Sequence, residues 1–146
     1  MTLLSAVGVW LVLMAAEVVH GIARTLWLAP VVGDFRARQI AVFTGSILVL
    51  SISILMARWM GVLRRGPLAM IGVLWVMLTL AFEIGLGRLM LDFPWSRIAA
   101  DYDVRHGGLL PFGLLVMALA PLLAARFRAM NPSSPARQHR RRITQA

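Results

Sequence analysis

The sequence predicts an all-α fold: a polytopic membrane protein that forms a bundle of four transmembrane helices. Of its 146 residues, 60% are hydrophobic and only 14% are charged, and the mean hydropathy is +0.79. That composition excludes an ordinary soluble globular domain. Four apolar stretches are also long enough to cross about 30 Å of hydrocarbon, which takes about 20 helical residues each. Helices are expected because the edge of an open sheet leaves backbone groups unpaired in lipid.

The predicted helices follow one another with short connections and cover residues 3–28, 39–63, 67–91 and 107–125. The first has no basic segment ahead of its apolar run, and the run continues past Ala16 to Pro30. We therefore interpret it as a transmembrane helix and not as a cleavable signal peptide. Together the helices form one transmembrane domain, residues 1–128.

Two segments lie outside the predicted spans. Residues 92–106 are expected to form an interfacial loop with a short helix, since large side chains recur there at three- and four-residue intervals: Trp95, Ile98 and Tyr102. Residues 129–146 contain a Pro/Ser stretch and a basic run, and they predict a disordered tail. Because this tail adjoins a membrane domain, we expect it to bind anionic lipid headgroups and not nucleic acid.

The distribution of charge predicts how the chain is oriented. The net charge of +9 is carried by 15 arginines, and the sequence contains no lysine. The arginines concentrate in the tail and around the connection between the second and third helices, whereas the two opposite loops are close to neutral. By the positive-inside rule, both termini are predicted to lie in the cytoplasm, in a bacterial-type inner (plasma) membrane.

Several kinds of chemistry have no support in the sequence. Cysteine is absent, which rules out disulfides, thiolate metal sites and cysteine nucleophiles. The sequence also lacks a phosphate-binding glycine loop, a serine elbow and a His-Glu-x-x-His motif. No cofactor is required by the sequence, and enzyme activity is not indicated.

The four helices resemble a duplicated hairpin. In the first half, Glu17 and Arg24 lead into a loop that holds a proline and an aspartate, and in the second half Glu83 and Arg88 do the same. The two units have the same orientation, so the sequence predicts a parallel internal repeat of two tandem hairpins.

Charged residues inside the spans mark the candidate functional site, because a carboxylate near the middle of a bilayer costs about 2.5–3.5 kcal/mol on insertion scales. Glu17, His20 and Arg24 stand at positions i, i+3 and i+7 and share one helical face. Glu83 lies at a similar depth in the third span. Loop residues lie above them, so the predicted site comprises Glu17, His20, Arg24, Glu83, Arg88, Asp101, Asp103 and His106.

Three interpretations of these residues stay open. The glutamates and arginines form structural ion pairs that fix the helix register. Alternatively, the arginines hold an anionic group while the glutamates exchange protons or bind cations, with His20 as a proton relay. A metal or redox centre is the third, since Glu17-x-x-His20 has the spacing found in carboxylate-bridged metal sites, with Glu83 and His106 as further ligands.

The favoured function is therefore binding or transport of a small charged or amphiphilic solute, coupled to protons, at a site that opens toward the extracytoplasmic side. The chief alternative is a non-catalytic accessory subunit of a larger membrane complex, and a membrane-embedded enzyme acting on a lipid is the third. A chain of 146 residues encloses little volume alone, so a homo-oligomer or a partner membrane subunit is also expected.

Overall fold

The computed structural model describes residues 3–60 and 65–130, and within these ranges it is helical without strands. Four helical stretches are long and apolar enough to cross a membrane: Leu4–Val32, Asp34–Ala57, Gly66–Met90 and Leu110–Phe127. The predicted all-α bundle of four transmembrane helices is therefore confirmed. The basic tail was predicted over residues 129–146. Its first two residues end the last helix, and the part from residue 131 onward lies outside the described residues.

The first hairpin consists of four consecutive elements: α1 (Leu3–Ala23), a π-helical segment (Arg24–Leu28), α2 (Ala29–Val32) and α3 (Asp34–Met60). Gly33 is the single residue between α2 and α3, where the chain reverses its direction. Its φ of +86° is a backbone conformation that residues with a Cβ rarely adopt. Because one residue completes the turn, the second span begins at Asp34 and not at the predicted residue 39. An acidic side chain in this first turn also suits the positive end of the helix dipole.

The second hairpin has a longer connection and contains α4 (Arg65–Gly85), a second π-helical segment (Leu86–Met90), α5 (Trp95–Tyr102), a 3-10 turn (Val104–His106) and α6 (Leu110–Met130). The short helix expected from the apolar spacing in this loop is α5. The 3-10 turn ends at Gly107, whose φ of +92° again requires a residue without a Cβ. The last span therefore begins at Leu110, three residues after the predicted start.

One half of the bundle has a tightly packed core, and we call residues 3–14, 49–60, 65–79 and 117–130 the core half. Trp75 is fully buried there, and its Nε1 donates a hydrogen bond of 2.9 Å to the backbone oxygen of Ala6. Trp10 Nε1 donates to the hydroxyl of Thr79 at 3.1 Å. These two bonds fasten α1 to α4 and leave neither indole N–H unpaired in an apolar interior.

The backbones of α4 and α6 come close together in the core half. A Cβ added at Gly72 would lie against the backbone carbonyl of Ala118. On the same helix as Ala118, Ala120 and Ala124 are fully buried. Small residues one turn apart allow helices to approach in lipid, where packing replaces the hydrophobic effect as the cause of association.

The other half, residues 17–46 and 82–114, is called the cavity half because its helices enclose a cavity instead of a core. Among the described residues, every buried hydrophobic side chain except that of Ala37 lies in the core half. Both π-helical segments lie in the cavity half, each a few residues beyond a glutamate, Glu17 in α1 and Glu83 in α4. The internal repeat stays a prediction, with these matching segments as a further parallel between the hairpins.

Candidate functional site

A cavity of about 700 Å³ fills the space between the helices of the cavity half. Met14, Thr79 and Met117 close it on the side of the core half, and most of its walls are apolar side chains. Five of the eight predicted site residues line it: Glu17, His20, Arg24, Glu83 and Asp101. A volume of this size is typical of sites for small organic molecules, which are mostly apolar with a few polar groups.

The carboxylate of Glu17 packs against α3 at Gly45. A Cβ at Gly45 would stand 3.0 and 3.2 Å from the two carboxylate oxygens, so the absence of a side chain at Gly45 makes room for Glu17. Oε2 lies 3.4 Å from Nδ1 of His20. Oε1 is buried and has no hydrogen-bond partner among the described residues. A buried carboxylate oxygen without a partner is costly, so its persistence marks a place of functional interest.

His20 connects Glu17 to α3. Its Nε2 lies 2.8 Å from the hydroxyl oxygen of Thr44, and that hydroxyl is also 3.2 Å from the carbonyl oxygen of Ile40. When Thr44 donates its proton to Ile40, His20 must donate from Nε2 to Thr44. Its Nδ1 faces Oε2 of Glu17, so the imidazole bridges Glu17 and α3.

Glu83 faces the same cavity from α4. It makes no hydrogen bond and no ion pair with any residue in ranges 3–60 and 65–130. Both intramembrane glutamates therefore reach one cavity from different helices, as the similar depth of the two residues predicts.

Neither arginine of the predicted pairs contacts a glutamate. Nη1 of Arg24 lies 3.4 Å from Oδ1 of Asp34, across the turn between α2 and α3. Nη1 of Arg88 donates a 2.8 Å hydrogen bond to the backbone oxygen of Phe93, and its guanidinium lies 5.1 Å from the ring centre of Trp95. The hypothesis of structural Glu–Arg pairs therefore finds no contact to support it among the described residues, because each arginine points toward the loops and away from its glutamate.

A network of charges forms the rim of the cavity, and sequence reasoning missed its centre, Asp34. The carboxylate of Asp34 accepts from Nη1 of Arg38 at 2.5 Å and from Nη2 of Arg97 at 3.1 Å, besides Arg24. Nε of Arg38 also lies 2.8 Å from Oδ1 of Asp101. Arg97 is stacked on Phe93, 3.9 Å from the ring centre. The rim thus ties the start of α3 to the end of α1 and to α5.

Two rim residues outside the spans are held in unusual protonation environments. Burial raises the pKa of the Asp101 carboxyl, and nearby Arg38 opposes the rise. Burial raises the pKa of the Tyr102 phenol to about 12, with Glu83 and Asp101 contributing in the same direction. The Tyr102 hydroxyl is buried with no hydrogen-bond partner among the described residues. It stays a neutral donor that faces the cavity.

Three predicted site residues lie outside the cavity lining: Arg88, Asp103 and His106. Asp103 and His106 instead stabilise the 3-10 turn, with Oδ2 of Asp103 2.6 Å from Nδ1 of His106. The hydrogen bond from His106 lowers the pKa of the Asp103 carboxyl. Nothing places these three residues with the glutamates.

The metal-centre hypothesis gains no support from the geometry. Within the described part of the chain, no group of three or more His, Asp or Glu residues is arranged to hold a metal ion. His106 lies outside the lining of the cavity that Glu17 and His20 share. Comparison with protein-family models, with curated proteins and with solved structures finds no match for this chain.

Proposed function

We propose that the protein binds and transports a small charged or amphiphilic solute in the cavity, with Glu17 and Glu83 as the proton- or cation-binding groups. One observation carries this proposal. Two carboxylates from different helices face a single cavity of about 700 Å³, and neither contacts an arginine among the described residues.

A purely structural role for the glutamates would require the opposite arrangement. Carboxylates that lock helices together need a partner, because an unpaired buried charge costs several kcal/mol. Glu83 has none in ranges 3–60 and 65–130, and Oε1 of Glu17 has none either. Ionisable groups of this kind inside a membrane usually serve a substrate, an ion or a proton.

The geometry suggests distinct roles within the site. His20 lies between Glu17 and Thr44 and would relay a proton on binding, with Thr44 fixing the imidazole. Glu83 is the second carboxylate, and the neutral Tyr102 hydroxyl offers a donor near the rim. Arg24 acts as a rim counter-ion to Asp34.

The surroundings of the site belong to the same proposal. We place the rim on the extracytoplasmic side of an inner membrane, with the tail beyond residue 130 against anionic headgroups, because the arginines are concentrated at the opposite end of the bundle. A homo-oligomer or a partner membrane subunit belongs to the same proposal, because a chain of 146 residues encloses little volume alone.

Proton movement through the reconstituted full chain tests this function. In proteoliposomes with an imposed membrane potential and an enclosed pH-sensitive dye, we expect proton uptake to fall at least tenfold in Glu83→Gln, because the amide cannot ionise. The variant keeps the shape of the side chain, so its thermal unfolding in detergent should match that of the unmodified chain.

Asp92→Asn is the matched control, since it makes the same chemical change at an exposed carboxylate outside the cavity lining. It should leave proton uptake unchanged. A structural role is indicated instead if Glu83→Gln lowers the unfolding temperature while the remaining folded protein moves protons as before.

A further inference from the structure

The three arginines at the rim of the cavity all have partners in the protein, although they face only two aspartates. Asp34 binds Arg24, Arg38 and Arg97, with contacts of 3.4, 2.5 and 3.1 Å. Arg38 has Asp101 as a second partner, and Arg97 has the face of Phe93. Every arginine that lines the cavity therefore already has a partner in the protein, which lowers its availability to an anionic ligand.

The charges deeper in the cavity are not balanced. The only basic side chain beside Glu17 among the described residues is His20, at 3.4 Å, and Glu83 has none. When both carboxyls are ionised, their one titratable partner leaves an excess of negative charge below the rim. A positive charge on the ligand would complete this set.

The remaining walls show what else the ligand must offer. The cavity is far larger than a metal ion, and no cluster of three metal-binding side chains occurs in the described ranges. Met14, Phe82 and Met117 line it, with other apolar side chains. A ligand that fills this space must cover apolar surface as well as neutralise a carboxylate.

Apolar residues of α1 that line the cavity are also exposed. Hydrogen bonds join α1 to α4 at Trp10 and at Trp75 in the core half, whereas none joins these helices in the described cavity half. Val18 and Ile22 both line the cavity and are exposed on the surface of α1. A hydrocarbon group held between α1 and α4 would therefore stay in contact with the bilayer interior.

We propose that the ligand is an amphiphilic organic cation, an onium or ammonium group on an apolar body, that enters from the bilayer between α1 and α4. Its positive charge lies between Glu17 and Glu83, and its apolar body rests on the methionines and phenylalanine of the walls. This inference rests on the proposed function and narrows it from charged or amphiphilic solutes to cations.

Two probes of the same shape and opposite charge test the inference on the purified full chain in detergent. Tetraphenylphosphonium and tetraphenylborate differ mainly in the sign of the charge, and uncharged triphenylphosphine oxide is the neutral control. By isothermal titration calorimetry we expect the phosphonium to bind at least tenfold more tightly than either of the others. Glu17→Gln with Glu83→Gln should abolish that preference, whereas Asp92→Asn should keep it.

Each result has one meaning. Equal or tighter binding of the borate or of the neutral probe overturns the cation inference, while proton uptake that depends on Glu83 would still uphold the proposed function. Absence of binding by all three probes also overturns the inference, and loss of the Glu83 dependence as well overturns both. The probe comparison needs only the unmodified chain, so it decides the matter even when the double variant does not fold.

Discussion

The core half and the cavity half lie in the same four spans but differ in the polar groups that they leave unpaired. In the described core half this is a neutral hydroxyl, that of Ser53, whereas in the cavity half these groups include the carboxylates. In the core half, the indole N–H groups of Trp10 and Trp75 each find an oxygen acceptor, within 3.1 Å. In the cavity half, Oε1 of Glu17 and the carboxylate of Glu83 find no hydrogen-bond partner among the described residues. One half is built for packing, and the other keeps carboxylates available to a ligand or a proton.

The largest expected effect is on the packing of the core half. Gly72→Ala places a Cβ against the backbone carbonyl of Ala118, so α4 and α6 must move apart. We expect a loss of about 1–3 kcal/mol in the free energy of unfolding, as for other overpacked cores. Thermal unfolding followed by circular dichroism in detergent measures it.

Gly8→Ala is the control for this prediction, because a Cβ at Gly8 would meet nothing within 4 Å. Alanine also favours the helix by about 0.5–1 kcal/mol relative to glycine, so the control should be neutral or slightly stabilising. Equal shifts in the two variants would show that α4 and α6 are not in close backbone contact.

A smaller change in stability, with a selective change in activity, is expected at Gly45. In Gly45→Ala the new Cβ stands 3.0 Å from a carboxylate oxygen of Glu17, which must swing away into the cavity. The helix gains stability from alanine while the displaced carboxylate loses packing, so we expect a net change below about 1 kcal/mol. Proton uptake in proteoliposomes should nevertheless fall severalfold.

The matched control is Gly21→Ala. Gly21 lines the same cavity, but a Cβ added there would meet nothing within 4 Å. It should keep proton uptake near that of the unmodified chain. Equal proton uptake in Gly45→Ala and Gly21→Ala would show that the position of Glu17 against α3 does not matter for activity. The contrast between the two halves would then be weaker.

The smallest effect is expected at the rim. Asp34→Asn removes the charge that faces three arginines, but the side chain of Asp34 is 45% exposed, so its ion pairs are screened by solvent. We expect a loss of no more than about 1 kcal/mol at low ionic strength, which shrinks further in about 1 M salt. Unfolding temperatures at both salt concentrations, with Asp92→Asn alongside, measure this loss. A large, salt-insensitive loss would make the rim part of the core architecture.

The fold was predictable because the length of an apolar run and the absence of alternatives in lipid determine a transmembrane helix. The boundaries of the helices were less predictable than the fold. The sequence shows a glycine at position 33, but only the backbone shows that its positive φ completes the turn in one residue and brings Asp34 into the helix. The same sequence is also compatible with a loop of several residues between the first two spans.

That Glu17 and Glu83 line one cavity agrees with their depth, since the rise per residue places them at one level. The partners of Arg24 and Arg88 were not predictable, because a long side chain can reach residues on several elements. A signal for the rim did exist in the sequence: Asp34 and Arg38 have the i, i+4 spacing of a helical ion pair. It is useful only when the helix is known to begin at Asp34.

The two π-helical segments also bear on how the length of this chain can change. A π turn closes its hydrogen bonds over five residues and so holds one residue more than an α-helix needs. Loss of one residue within Leu86–Met90 would convert that turn to regular helix and leave Glu83 in place. The same loss earlier in α4 would rotate Glu83 by about 100° away from the cavity. In each hairpin, insertions and deletions should therefore accumulate on the C-terminal side of the glutamate and be rare on its N-terminal side.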